Sequence, residues 1–346
     1  MTSLDVFSMY SPAAGSTRVR IYDWLEHLGL EAAEHQFAGL PNAGVSTLLS
    51  HRSEVARAEA RVRRVPVEGR SVLMSREASP FSRGAVEERI LRQAGHSAYD
   101  FDDALFHDVS PRRRVFGGSR KFERAVAAAD VVIAGNAYLA EWAAQFADDV
   151  RIIPSCVDPG HYPMVDAAGR ADKQPTLVWL GSGSTEQYLT PLVDALLRVH
   201  ARTGARLKLI SSPQENPALA RLEPMLDRVP WTAAGFAAEL AQSDVALAPL
   251  DDTPYARGKC AYKILQYGAA GLPVVGSPVG ANEAALDRIG GLSLTEGDDW
   301  AEAVMQMLTK STSEREAIGR AARAGVEQHY SFAAWAPHWR DAVLQD

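Results

Sequence analysis

Short continuous apolar runs recur along the chain, separated by stretches whose apolar residues return every three or four positions. A strand covered on both faces reads as a continuous apolar run, whereas a surface helix shows one apolar stripe. The alternation therefore predicts parallel sheets layered between helices, an α/β architecture. In the first half the predicted strands are Leu4–Met9, Ala32–Phe37, Ser71–Ser75, Ser97–Phe101, Asp130–Ala134 and Val150–Ile153. In the second half they are Thr176–Leu180, Leu207–Ser211, Arg228–Trp231, Asp244–Leu250, Pro273–Gly276 and a weaker Leu292–Leu294.

The pattern breaks between Asp158 and Pro175, where Pro159, Gly160, Pro163 and Gly169 cluster among polar residues. Two doubly wound, Rossmann-like domains follow, residues 1–160 and 175–329. The aromatic end, with Trp335 and Trp339, predicts a helix within 330–346 that needs an apolar surface and should cross back onto the first domain. Ligands of doubly wound sheets bind beyond the carboxyl ends of the strands, at the topological switch point. Two such domains facing each other would form a cleft, and the chemistry is expected there.

A length of 346 residues suits two domains. With 47% hydrophobic and 23% charged residues, both can bury sizeable cores. The net charge of −7 argues against a general nucleic-acid binder. Cys156 and Cys260, far apart and outside any metal-ligand spacing, fit a reducing cytosol. No signal-peptide pattern opens the chain and no run approaches the roughly 20 apolar residues of a membrane span. The expectation is a cytoplasmic protein with at most peripheral membrane contact.

The densest candidate chemistry lies in the segment Arg257-Gly258-Lys259-Cys260-Ala261-Tyr262-Lys263-Ile264-Leu265-Gln266. Two of only six lysines stand four positions apart on one predicted helix. Lys259, Lys263 and Gln266 share one stripe, and Ala261, Ile264, Leu265 and Gly268 the opposite one. Ammonium groups near a helix N-terminus suit a diphosphate, and Gly258 would let backbone approach a ligand closely. A solvated surface helix would show the same lysines. The GxxxxGK[ST] spacing of a P-loop is missing.

A second anion-facing candidate is the turn Gly181-Ser182-Gly183-Ser184-Thr185 after a predicted strand, with Ser184 and Gln187 in capping-box spacing. After the first strand, Gly15 and Arg18 could contribute a glycine loop and a cation, although Arg18 and Arg20 also suit a solvated helix face. Tyr99-Asp100-Phe101-Asp102-Asp103, with His107 nearby, ends another strand with three carboxylates. Strand alternation would put Asp100 and Asp102 on one face and Asp103 on the other. This triplet could bind metal, orient an acceptor or serve as a cap, and the acceptor role is preferred over metal. Arg76 and Glu77 end the strand Ser71–Ser75, where a local ion pair could be structural or acceptor-facing.

Taken together these residues resemble the GT-B-fold retaining glycosyltransferases grouped around family 4. Ser243–Leu250, the Gly258-Lys259-Cys260 segment with Lys263, and Tyr267–Val275 carry the likeness in the second half. Ala129–Ala140, Ile153–Asp158, Arg76-Glu77 and Tyr99–Asp103 carry it in the first. The resemblance implies transfer of a sugar from a nucleotide-diphosphate sugar to an acceptor, with retention of configuration, no cofactor and no metal. Family members commonly place two glutamates eight positions apart where this chain has Gly258 and Gln266. Their phosphate-binding Arg and Lys correspond here to the Ser182–Thr185 turn.

The resulting assignment makes Asp102, Lys259 and Lys263 catalytic. Gly15, Arg18, Gly181, Ser182, Gly183, Ser184, Thr185, Arg257, Gly258, Lys259, Lys263 and Gln266 would bind the donor. Arg76, Glu77, Asp100, Asp102, Asp103 and His107 would bind a small-molecule, saccharide or lipid-linked acceptor. A nucleotide-sugar epimerase on the same fold, or a non-catalytic nucleotide-sugar binder, are the alternatives. The sequence leaves the oligomeric state, the donor base and sugar, and the acceptor open.

Overall fold

The computed structural model describes residues 4–12, 14–37, 50–107, 117–166, 168–170 and 173–344. Ala13 of the first loop, Asp108 after the acidic strand end, and the last two residues of the predicted terminal helix lie outside these. The chain divides into two compact units. The first comprises Met1–Ser155, Thr253–Cys260 and Trp335–Asp346, and the second Cys156–Asp252 and Ala261–Ala334. The division falls between Ser155 and Cys156, ahead of the proline- and glycine-rich stretch. The segment Thr253–Cys260 groups with the first unit although the chain on both sides of it belongs to the second.

The first unit is built on β1 (Leu4–Ser8), β2 (Ala32–Gln36), β3 (Ser71–Ser75), β4 (His96–Phe101), β5 (Val131–Ala134) and β6 (Val150–Ile152). They form one sheet in the order β2-β1-β3-β4-β5-β6, parallel throughout. All of β1, β3, β4 and β5 is buried, so their apolar runs face helices on both sides. Phe7, Val72, Met74, Tyr99, Phe101 and Val132 point into one core cluster. On the other face Trp24 and Trp339 stack with centroids 5.4 Å apart. Trp339 lies on the helix Phe332–Val343, and its burial to 1% exposure explains the aromatic end of the chain.

The second unit is built on β7 (Thr176–Leu180), β8 (Arg206–Ser211), β9 (Leu226–Pro230), β10 (Val245–Ala248), β11 (Val274–Gly276) and β12 (Leu292–Ser293). Its order, β12-β11-β10-β7-β8-β9, is that of the doubly wound nucleotide-binding sheet, with its switch point between β7 and β10. Alternate residues of β7 feed two cores: Leu177 and Trp179 enter one, Val178 and Leu180 the other. No described helix is long and apolar enough to cross a membrane.

Candidate functional site

In the first unit, chemistry gathers where β3, β4 and β5 end. Asp100, on β4, is 1% exposed and is gripped by Arg20, with Nε at 3.0 Å and Nη2 at 2.5 Å. Arg20 also donates to the Ile153 carbonyl at 3.0 Å. It sits in a widened π-turn, Arg18–Tyr22, an irregularity that often marks functional regions. Burial alone would lower its pKa, but the Asp100 carboxylate overrides this and raises it. Asp100 therefore holds Arg20 and does not face an acceptor, a correction to the sequence assignment. Arg18 lies half-buried with Asp23 at 3.8 Å, and Gly15 is exposed at the start of the helical turn Gly15–Thr17.

Strand β4 stops at Phe101, so alternation does not continue into the two aspartates that follow. Asp102 and Asp103 both reach Arg76: Arg76 Nη2 lies 2.6 Å from Asp102 Oδ1 and 2.5 Å from Asp103 Oδ2. Expecting them on opposite faces was wrong for this reason. Burial would raise the Asp102 pKa, yet Arg76 foremost, then Arg20 and Lys259, outweigh it and hold the carboxyl below its ordinary value. Arg76 itself has φ of +64°, an uncommon conformation for a residue with a Cβ. Two bonds frame it: its N–H donates to Asp100 O at 2.8 Å, and Tyr99 Oη donates to its carbonyl at 2.6 Å. Among the described residues no group of three or more His, Cys, Asp and Glu is arranged for a metal; the Asp100–Asp102 carboxylates are engaged by arginines. His107 is exposed and pairs with Tyr138 Oη at 2.8 Å. Glu77 is 1% exposed and bound to Lys121 Nζ at 2.7 Å, so it too is withdrawn from any acceptor.

The lysine segment is not one helix. A short helix, Pro254–Arg257, is capped by Thr253, whose hydroxyl accepts from Ala256 N at 3.1 Å. The next helix, Tyr262–Ala269, begins only after Ala261, whose φ is +55°. This left-handed residue interrupts the helical path, so Lys259 and Lys263 do not share a stripe. Asn136 fixes the first part to the first unit, donating to the carbonyls of Arg257 at 3.2 Å and Lys259 at 3.0 Å. Lys259 Nζ lies 3.4 Å from Asp103 and 5.1 Å over the Tyr255 ring. Arg257 is exposed. Cys260 donates to Asp102 O at 3.3 Å, and burial, reinforced by Asp102, pushes its thiol pKa up. Gly258 serves packing: a Cβ there would lie 2.5 Å from Ala104 N and Cβ. Its expected role of admitting a ligand to the backbone is corrected accordingly, and a glutamate could not occupy this position without moving the chain.

In the second unit, Lys263 Nζ sits 4.6 Å over the Trp179 ring and 3.5 Å from Thr185 Oγ1. Both partners belong to β7 and the turn that leaves it. The turn runs into a 3₁₀ helix, Gly183–Leu192, and not into a boxed α-helix. Pro191 cannot close an α-turn onto Gln187, and the Ser184–Gln187 capping box is absent. The hydroxyls instead contact one another: Ser182 and Ser184 are 3.0 Å apart, and Thr185 donates to Ser182 O at 2.9 Å. Gly181 leaves room for Trp179, since a Cβ would come within 2.3 Å of its ring. Gln266, placed by the helical wheel on the exposed stripe, is 4% exposed and donates to Tyr162 Oη at 3.3 Å. The helix is buried from Ile264 to Ala269, which leaves it no wide polar face.

Sequence reasoning missed Arg20 as a buried partner, Asn136, and the Glu186–Arg228 pair at 2.7 Å beneath the hydroxyl turn. Asn136 carried a local signal, because it also caps the helix Ala137–Ala143 through Leu139 N. The ion pairs carried none, as their partners lie far apart in the chain.

Residues 174–310 match the family model described as Glycosyl transferases group 1. No curated protein matches the chain in sequence. Among solved structures, Anabaena Alr3699/HepE, crystallised with UDP and glucose, is 15% identical with a TM-score of 0.68, covering 99% of each chain. The trehalose-6-phosphate synthase OtsA is 12% identical with a TM-score of 0.67, covering 100% of both chains. A UDP-forming α,α-trehalose-phosphate synthase from Burkholderia vietnamiensis is 14% identical with a TM-score of 0.64, covering 99% of this chain and 97% of its own. At such identities the structural likeness speaks for the fold, and the two six-stranded parallel sheets are those of GT-B.

Proposed function

We propose that this chain, a group 1 glycosyltransferase by its family region and a GT-B protein by its fold, moves a sugar from a nucleoside-diphosphate sugar to an acceptor hydroxyl with retention of configuration. The observation that carries the reading is Lys263, held over Trp179 and beside the Ser182–Thr185 hydroxyls at the end of β7. This lies at the switch point of the second sheet, where doubly wound folds take nucleotides. The ammonium and hydroxyls would bind diphosphate oxygens and stabilise the charge that grows as the glycosidic bond to phosphate breaks. The nucleoside diphosphate leaves with the bonding electron pair, and the acceptor oxygen bonds the anomeric carbon as it loses its proton.

Lys263 would supply the positive charge that a metal supplies elsewhere, Lys259 and Arg257 remain proposed donor contacts, and the reaction is assigned no metal and no cofactor. Asp102, kept ionised by Arg76, is suited to orient acceptor hydroxyls. Gln266 and Gly15 remain proposed donor contacts, as do Arg18 and Gly183. UDP is the first nucleotide to try, because HepE was crystallised with it and the Burkholderia synthase is UDP-forming. Two cysteines, both buried and neither in a disulfide, support a cytoplasmic setting.

Calorimetric titration with UDP-, GDP- and dTDP-sugars, followed by incubation with saccharide and lipid-linked acceptors in EDTA, tests this reading. A hexose-sized mass increment whose anomeric signal matches the donor supports it. Inversion, a requirement for metal, or donor binding without transfer to any acceptor would each refute the corresponding part.

A further inference from the structure

A buried charge cluster lies behind Arg76, in a place the proposed reaction does not touch. Lys121, on the helix Ser119–Val126, is 2% exposed, and the two carboxylates it meets, Glu77 and Glu87, are 1% and 0% exposed. Lys121 Nζ lies 2.7 Å from Glu77 Oε2 and 3.4 Å from Glu87 Oε1, and it donates to the Ser79 carbonyl. Glu87 Oε1 in turn accepts the backbone N–H groups of Ala78 and Ser79, each at 3.1 Å. Four of these bonds converge on the loop that leaves β3: one on the Glu77 side chain, one on the Ser79 carbonyl, and two from the backbone N–H groups of Ala78 and Ser79.

Sealing charged groups away from water is costly, and well-packed apolar residues often stabilise a fold as well or better. What the cluster supplies is a fixed path for residues 77–79. The residue just before them is Arg76, held at φ +64°, whose guanidinium grips Asp102 and Asp103. A left-handed non-glycine residue persists only where its surroundings over-determine it. Tyr99 and Asp100 secure one side of Arg76; the cluster secures the other.

We infer that Lys121, with Glu77 and Glu87, is a positioning device that sets Arg76 and through it the Asp102–Asp103 carboxylates for the acceptor. This rests on the acceptor role proposed for Asp102. Lys121 touches no substrate and is a positioning residue.

The test is Lys121→Met in the full chain, alone and combined with Arg76→Gln. The expected result is a loss of roughly tenfold or more in acceptor kcat/KM, with donor affinity by calorimetry within about twofold of the parent, since Lys263 and the hydroxyl turn are untouched. In the Arg76→Gln background the same change should add little, because both variants break one chain of contacts. Additive losses, or a loss that tracks the melting temperature alone, would overturn the inference. Should Lys121→Met not fold, Glu87→Gln provides the milder break with the same expected coupling.

A readout independent of turnover is the ¹⁵N–¹H signal of the Arg76 Nε group, assigned by its loss in Arg76→Gln. It should move or broaden in Lys121→Met. If the parent transfers no sugar at all, the functional reading fails while this signal still decides the positioning role. An unmoved signal with unchanged acceptor kinetics would sink it.

Discussion

The two units answer the same problem, how to present polar groups at the ends of parallel strands, in opposite ways. In the first, cations meet carboxylates: Arg20 with Asp100, Arg76 with Asp102 and Asp103, and Lys259 with Asp103. In the second, the cation Lys263 lies over an indole and beside a cluster of hydroxyls. A matched network fixes geometry but has little charge left for a ligand. Lys263 instead stands beside hydroxyls that can themselves donate to the oxygens of an anion. The two lysines of one short segment thus fall into different regimes.

The largest expected effect follows from that difference. Lys263→Ala should lower transfer by about a hundredfold or more, the scale of removing one preorganised donor to a developing anion. Lys259→Ala should cost only about tenfold, because its ammonium is partly engaged by Asp103, an interaction of the hydrogen-bonded charge type. Steady-state kinetics of the two variants give the ratio directly. Equal losses would show that the division between the units does not matter to the donor.

Next in size are losses of stability. Asp100→Asn leaves the buried Arg20 guanidinium without its carboxylate, and breaking such a pair costs about 3–5 kcal/mol. Gly258→Ala forces a methyl against Ala104 and should cost about 1–3 kcal/mol, as overpacking does. Both are read by urea melts. If Gly258→Ala were as stable as the parent, the close approach to Ala104 would not be a packing constraint, and room for a glutamate would reopen.

Much of the fold was legible because it rests on local pattern. All twelve strands of the described residues lie near their expected places, since runs such as Leu4–Ser8 and Val131–Ala134 are buried on both faces and their composition shows it. The site was less legible. The hydroxyl turn and Lys263 could be read as neighbours because one follows a strand and the other opens a helix at the same sheet edge. The shared helical stripe expected for Lys259 and Lys263 does not form, because nothing in an alanine foretells the left-handed turn at Ala261. Asp100 and Glu77 read as accessible carboxylates until their partners, Arg20 and Lys121, came from 80 and 44 residues away. Long-range charge pairing leaves no period in a sequence.

The smallest effect compares the two units through acid. Asp102 in the first unit is held below its ordinary pKa despite burial, chiefly by Arg76. Glu186 in the second is likewise lowered against burial, chiefly by its bond to Arg228. A carboxyl depressed on folding contributes stability that is complete above its unfolded pKa, about 3.9 for Asp and 4.3 for Glu. That contribution disappears as pH falls through the lower, folded value. Melting temperature should therefore show no change attributable to these groups between about pH 5 and 7, and should fall below about pH 4. Asp102→Asn and Glu186→Gln should each flatten that acid limb while keeping a constant offset from the parent at neutral pH. An offset that changes between pH 5 and 7 would mean that the folded carboxylate titrates above its ordinary pKa, and that its arginine does not control it.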